Sequence, residues 1–278
     1  MQFPKGGLIG KGMRLVRYVS RLQISVYAAH ASFFIMLSVF PLLVLLLGFL
    51  RYAGIAVNTL TDALEGLIPQ ILLPAAKKLI IGAYRNTSGT LISISAVTAL
   101  WSAARGVYSL LKGLNAIYRT PENRGYFYTR SICMLYTLLL LVVLLLTLIL
   151  YVFSTSLIQY LQIHDSPLLS PLSRILDLRA VLLLGVQVLL FTAIFTVLPN
   201  RKIRLGDSFP GAVFASLGWL IFSHLYSKYV EYFPRYAHIY GSVYAVALSM
   251  LWLYFCMCIV FYGGVLNHLL MDRQEDLP

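Results

Sequence analysis

The sequence predicts an all-α protein, a polytopic transmembrane helix bundle of about six spans with both termini in the cytoplasm. Three observations predict it. Of 278 residues, 59% are hydrophobic and 12% charged, with a mean hydropathy of +0.80; a soluble domain carries roughly twice that charge. Apolar runs of about 20 residues recur along the whole chain, and at 1.5 Å rise per residue each reaches across a hydrocarbon core of roughly 30 Å. Lys and Arg are also unevenly shared between alternate loops, thirteen on the side of the termini against seven on the other. Positive loops stay in the cytoplasm, which places both ends there.

The runs cover approximately 25–50, 91–111, 131–154, 180–198, 209–229 and 241–266, within one membrane domain. The first follows a basic, Gly-containing lead and is too long for a signal-peptide core, with no small-residue cleavage site, so an uncleaved first span is expected. The second is the weakest, because Arg105 interrupts it after a clean stretch of about 14 residues; without it the count is five. The outer loop 51–90 is long for a bare connection. Leu60, Leu64, Leu67, Ile68 and Ile71 recur there at helical spacing around Asp62 and Glu65, predicting a short amphipathic helix bent near Pro69 and Pro74. A lid over the bundle is the plain reading and a substrate gate the sharper one. Pro121, Pro167, Pro171 and Pro199 mark turns near span ends, and no internal repeat is visible.

Composition also excludes. The net charge of +12 is scattered through short loops and forms no stripe, which argues against nucleic acid as a partner. Cys133, Cys256 and Cys258 lie inside apolar runs and read as small hydrophobes, so neither a metal nor a redox cofactor is expected. There is no H-E-x-x-H, no G-x-S-x-G, no Gly-rich phosphate loop and no pair of carboxylates within one span, so no enzyme is predicted.

Arg105 is the most informative residue, since a guanidinium inside a span is costly and needs a partner, water or an anion. All ten carboxylates fall in loops or termini on this reading. Snorkelling is the bland alternative, but helical side chains lean towards the N-terminus, which carries Arg105 deeper; a cavity residue and a structural tether both remain open. His30 stands at a similar depth, either as a hydrogen-bonded packing residue or, less plainly, as a proton relay. His224, Lys228 and Glu231 read as a rim ion pair. Tyr226, Tyr229, Tyr232, Tyr236, Tyr240 and Tyr244 read as an aromatic belt. Gly211, Ala212, Ala215 and Gly218 mark a helix-packing face, with Gly211, Ala215 and Trp219 four residues apart.

The stretch Trp101-Ser102-Ala103-Ala104-Arg105-Gly106, with Gly113-Leu114-Asn115 and Tyr118 after it, resembles the YihY/BrkB family of bacterial inner-membrane proteins. So do Phe40-Pro41, Pro199 before the basic loop, Pro210-Gly211-Ala212, Tyr240-Gly241-Ser242 and Leu251-Trp252-Leu253-Tyr254. The likeness runs from about Tyr18 to His268. It implies a six-helix protein of the bacterial plasma membrane whose activity is unsettled, and it carries an old ribonuclease label that no metal cluster or acid/base pair here supports. One departure matters. The family pattern near the end of the last span often reads Gly-Ala-Glu-x-Asn, whereas this chain has Gly263-Gly264-Val265-Leu266-Asn267. If that Glu pairs with the Arg of the second span, Arg105 is left unpaired here.

The function expected is transport or handling of an anionic lipid or small solute, in a cavity lined by Arg105, His30, Asn115 and Asn267. Membrane lipids are the implied partners. The rival is a scaffold that does not transport and docks an envelope protein through its long outer loop and its basic cytoplasmic loops; a second copy of the chain is the other partner expected.

Overall fold

A computed structural model describes residues 18–52, 77–78, 81–82, 88–142, 178–232 and 234–275, and among them every regular element is a helix. We number them α1 (Ile24–Tyr52), α2 (Gly89–Ile117), α3 (Tyr126–Val142), α4 (Leu178–Val197), α5 (Leu205–Tyr232) and α6 (Pro234–Glu275). Three contain segments long and apolar enough to cross a membrane: Ile24–Leu45, Leu205–Val230 and Val243–Asp272. Tyr126–Val142 and Leu184–Val197 are shorter apolar helices. The helix α2 falls outside both sets, since Arg105, Lys112 and its many small polar residues dilute it. The helices also overrun the apolar runs: α6 begins seven residues before 241 and ends nine after 266. The expected amphipathic helix at 60–71, the far half of the third run and the side chain of Glu231 lie outside the described residues.

Helices α1 and α2 form the most extensive contact, followed by α5 with α6, α4 with α5, and α1 with α6. Each of these first three pairs runs antiparallel. Small residues set the closeness of α1 and α2: Ala28, Ala31 and Ala104 are fully buried, and a Cβ on Gly106 would come within 2.8 Å of Ile35 Cγ1. In lipid, where apolar burial drives nothing, such close backbone approach supplies the dispersion contact that holds helices together. The Ser109 hydroxyl donates to the Tyr27 carbonyl at 2.9 Å across the same seam.

The α5–α6 seam uses the predicted small-residue face. Gly211 faces the Gly263 backbone, Ala215 lies against Gly263, and Gly218 against Ile259. Trp219 and Trp252 meet edge to face at 5.5 Å, and the Trp252 indole donates to Ser223 Oγ at 3.1 Å. Not every tyrosine in the predicted belt faces lipid, for the Tyr226 hydroxyl donates to the Leu248 carbonyl at 2.8 Å within this seam.

Candidate functional site

Antiparallel packing gathers one set of helix ends: the starts of α1, α3 and α5 and the finishes of α2, α4 and α6. Charge bias assigns this end to the cytoplasm. Asn115 ties three segments there. Its Nδ2 donates to Glu122 Oε2 at 2.7 Å and its Oδ1 accepts from the Asn200 backbone N–H at 2.8 Å. Glu122 also takes both Nε and an Nη of Arg124 at 2.7 Å, Arg124 reaches the Leu198 carbonyl at 3.3 Å, and the Asn200 amide donates to the Pro121 carbonyl at 3.0 Å. The Arg124 hydrogen bonds hold the Glu122 carboxyl below its ordinary range, with Asn115 adding to the effect. Asn267 does a parallel task. Its Oδ1 accepts from the Gly211 N–H at 2.6 Å and its Nδ2 donates to the Ser208 carbonyl at 3.1 Å, clasping the first turn of α5, where Pro210 contributes no donor. His268, beside it, sits between the rings of Tyr18 and Tyr118, each at 6.0 Å, with Asp272 Oδ2 3.6 Å from its Nε2. A cleft of about 550 Å³ opens at the neighbouring turn, lined by Thr196, Val197 and the residues from Pro199 to Ile203.

A different chemistry runs up the outer face of α2. Ala104, Leu111 and Leu114 are buried on its inner face, while Ile94, Val97, Trp101, Arg105 and Lys112 are exposed on the other. Along that stripe the character changes from aliphatic to cationic. Each cation lies over a ring: Arg105 over Trp101 at 4.3 Å and Phe34 at 5.3 Å, Lys112 over Tyr108 at 4.7 Å, and Arg119 over Tyr18 at 5.0 Å. Their seven-residue spacing sets them about 10 Å apart along the axis. Arg119 closes α2 in the left-handed region, φ 53°, with Thr120 N–H on the Asn115 carbonyl and Arg119 N–H on that of Ala116. This is a Schellman cap, which glycine normally fills.

Arg105 leans towards the helix N-terminus, onto the residue four before it, as Cα–Cβ geometry dictates. Among the described residues it stacks on the Trp101 and Phe34 rings and forms no ion pair with a carboxylate. A second cation arrives from α3, where an Arg130 Nη lies 3.4 Å from the Trp101 carbonyl. His30 is exposed on α1 with its ring 4.8 Å from that of Phe34.

The four expected residues therefore do not line one cavity. Arg105 and His30 share the outer face beside Phe34, while Asn115 and Asn267 are buried at the helix-end cluster, their amides bonded to other parts of the chain. The pairing suggested for an acidic residue at position 265 is also out of reach in this packing. Gly264 abuts Leu114 and Ile117, so position 265 lies roughly 14 Å along α2 from Arg105. Sequence reading missed Arg130 and the Glu122–Arg124 clamp. The Arg105 and Lys112 ring contacts had a signal, an aromatic residue four before each cation.

Closely packed apolar helices, three of them membrane-length, with a cationic stripe on an otherwise apolar outer face define a multi-pass helical membrane protein. Comparison with known proteins sharpens this. The family model described as Virulence factor BrkB matches residues 15–277, and the chain belongs to that family. It is 29% identical over 252 residues to the ribonuclease-like protein YfkH of Bacillus subtilis (strain 168), covering 89% of this chain and 90% of the relative. It is 25% identical over 274 residues to a UPF0761 membrane protein of Vibrio vulnificus (strain YJ016), covering 96% and 85%, and 26% identical to a UPF0761 membrane protein of Aeromonas salmonicida (strain A449), covering 100% and 98%. No solved structure matches. These relatives make the chain a bacterial membrane protein of a family whose activity is uncharacterised.

Proposed function

We propose that this protein binds and handles an anionic membrane lipid on its outer face, with the Arg105 guanidinium engaging the lipid's phosphate. One observation carries the reading: Arg105 is exposed on an apolar face, stacked on aromatic rings and in no ion pair with a carboxylate among the described residues.

Magnitudes support it. Arg105 lies level with Phe34, in the middle of the apolar segment Ile24–Leu45. A guanidinium at a span centre costs about 2.5–3.5 kcal/mol on the insertion scale. Ring contacts return about 0.5–1 kcal/mol each in water and about 2 when desolvated, but they leave the guanidinium's N–H donors unmet, and that is the remaining deficit. A phosphate with its charge-assisted, bidentate hydrogen bonds closes it. Lys112 and Arg119 continue the cationic stripe towards the helix-end cluster, which suits a headgroup approaching from that leaflet. A left-handed arginine costs roughly 1–2 kcal/mol relative to glycine, and its retention at the cap of α2 fits a need for charge there.

The test compares wild type, Arg105→Ala and Arg105→Lys in nanodiscs of phosphatidylcholine with a minor fraction of phosphatidylglycerol, scoring anionic lipid retained per protein by native mass spectrometry. Arg105→Ala is expected to lower retention about tenfold and Arg105→Lys to fall between. Retention at the wild-type level in both variants overturns the proposal.

A further inference from the structure

Arg130 and Arg105 come from different helices and meet on one residue. Arg105 lies over the Trp101 ring, and Arg130 approaches the Trp101 carbonyl. Neither arginine pairs with a carboxylate among the described residues, and Glu122, a few residues from Arg130 in sequence, is held by Arg124 and Asn115. A guanidinium has five N–H donors. Arg130 has placed one on a carbonyl, and Arg105 has placed none within the described chain. Two like charges thus both touch Trp101, one exposed and one half-buried, with most of their donors unspent.

From this we infer that Arg105 and Arg130 form a two-guanidinium site for a phosphate monoester at the head of a lipid. The inference rests on the lipid-binding reading above and narrows its ligand. A phosphodiester head carries one negative charge and neutralises one arginine, leaving the other uncompensated. A phosphate monoester carries about −1.5 to −2 at neutral pH and presents three acceptor oxygens, matching two planar forks. Trp101 contacts both forks, one by its π face and one by its carbonyl, and is itself exposed beside them. Phosphatidylglycerol is then a weaker ligand than phosphatidate, and Arg130 is the residue that makes the difference.

The experiment measures retention of phosphatidate and of phosphatidylglycerol, each as a minor component of phosphatidylcholine nanodiscs, for full-length wild type, Arg130→Gln, Arg130→Lys and Arg105→Ala. Wild type is expected to prefer phosphatidate by about tenfold. Arg130→Gln should abolish that preference by lowering phosphatidate retention more than phosphatidylglycerol retention, and Arg130→Lys, keeping the charge, should restore part of it. An unchanged preference in Arg130→Gln, or none in wild type, overturns the two-arginine site while leaving the lipid reading intact. Unchanged retention of both lipids in Arg105→Ala sinks the reading beneath it. Competition by millimolar inorganic phosphate would assign the site to a soluble ligand and overturn the lipid head as its source.

Discussion

The two ends of α2's cationic stripe obey opposite rules. At the helix-end cluster, Asn115 and Asn267 are buried and bonded to backbone or side-chain groups of neighbouring segments. Twelve residues up the same helix from Ile117, about 18 Å, Arg105 is exposed among apolar residues and bonded to nothing of its own chain that is described. Buried polarity that closes on itself fastens helices, because an unmade bond there costs about 1–3 kcal/mol. Polarity left open to lipid fastens nothing and invites a ligand.

The largest expected effect lies in the cluster. Gly211→Ala would drive a methyl group into the Gly263 carbonyl and the Asn267 side chain, adding overpacking of about 1–3 kcal/mol to the loss of both Asn267 bonds. A loss of about 3 kcal/mol or more is expected, read from unfolding of the purified protein in detergent; a variant as stable as wild type would mean that the clasp holds nothing. Glu122 gives a middle effect. Its carboxyl sits below its ordinary range because of Arg124, so the stabilisation is present above about pH 4.5 and fades as pH falls through the lower folded value. Glu122→Gln should cost about 1 kcal/mol at pH 7 and flatten the acid side of a melting-temperature profile. Identical acid limbs in the two proteins would remove the clamp from the account. The smallest effect belongs to the stripe. Arg119→Gly relieves a left-handed backbone and gives up one exposed ring contact, for a net gain of about 0.5 kcal/mol. A loss exceeding about 1 kcal/mol would show that stacking on Tyr18, and not lipid binding, keeps arginine at the cap.

Much of the fold was legible because apolar length and helical period are local properties. The run 25–50 became α1, Ile24–Tyr52, and the small residues from Gly211 to Gly218 became a packing face. The helix-end overruns of α5 and α6 were not legible, since polar turns of helix carry no apolar signal. In the candidate site, Arg105 stood out by cost alone. Its neighbour Arg130 did not, because it opens an apolar run after a loop, where a basic residue reads as a topology marker.

The sequence by itself determined that the chain is a helical membrane protein with one conspicuous guanidinium in an apolar stretch, because hydropathy and charge are summed over residues without reference to one another. Only the tertiary structure decided that Asn115 and Asn267 face inward while Arg105 and His30 face outward. It alone brought Arg130 to Trp101. A helix has an inside only once its partners are in place, and which face they cover is set by the close approach of small residues such as Ala31 and Gly106 on different helices.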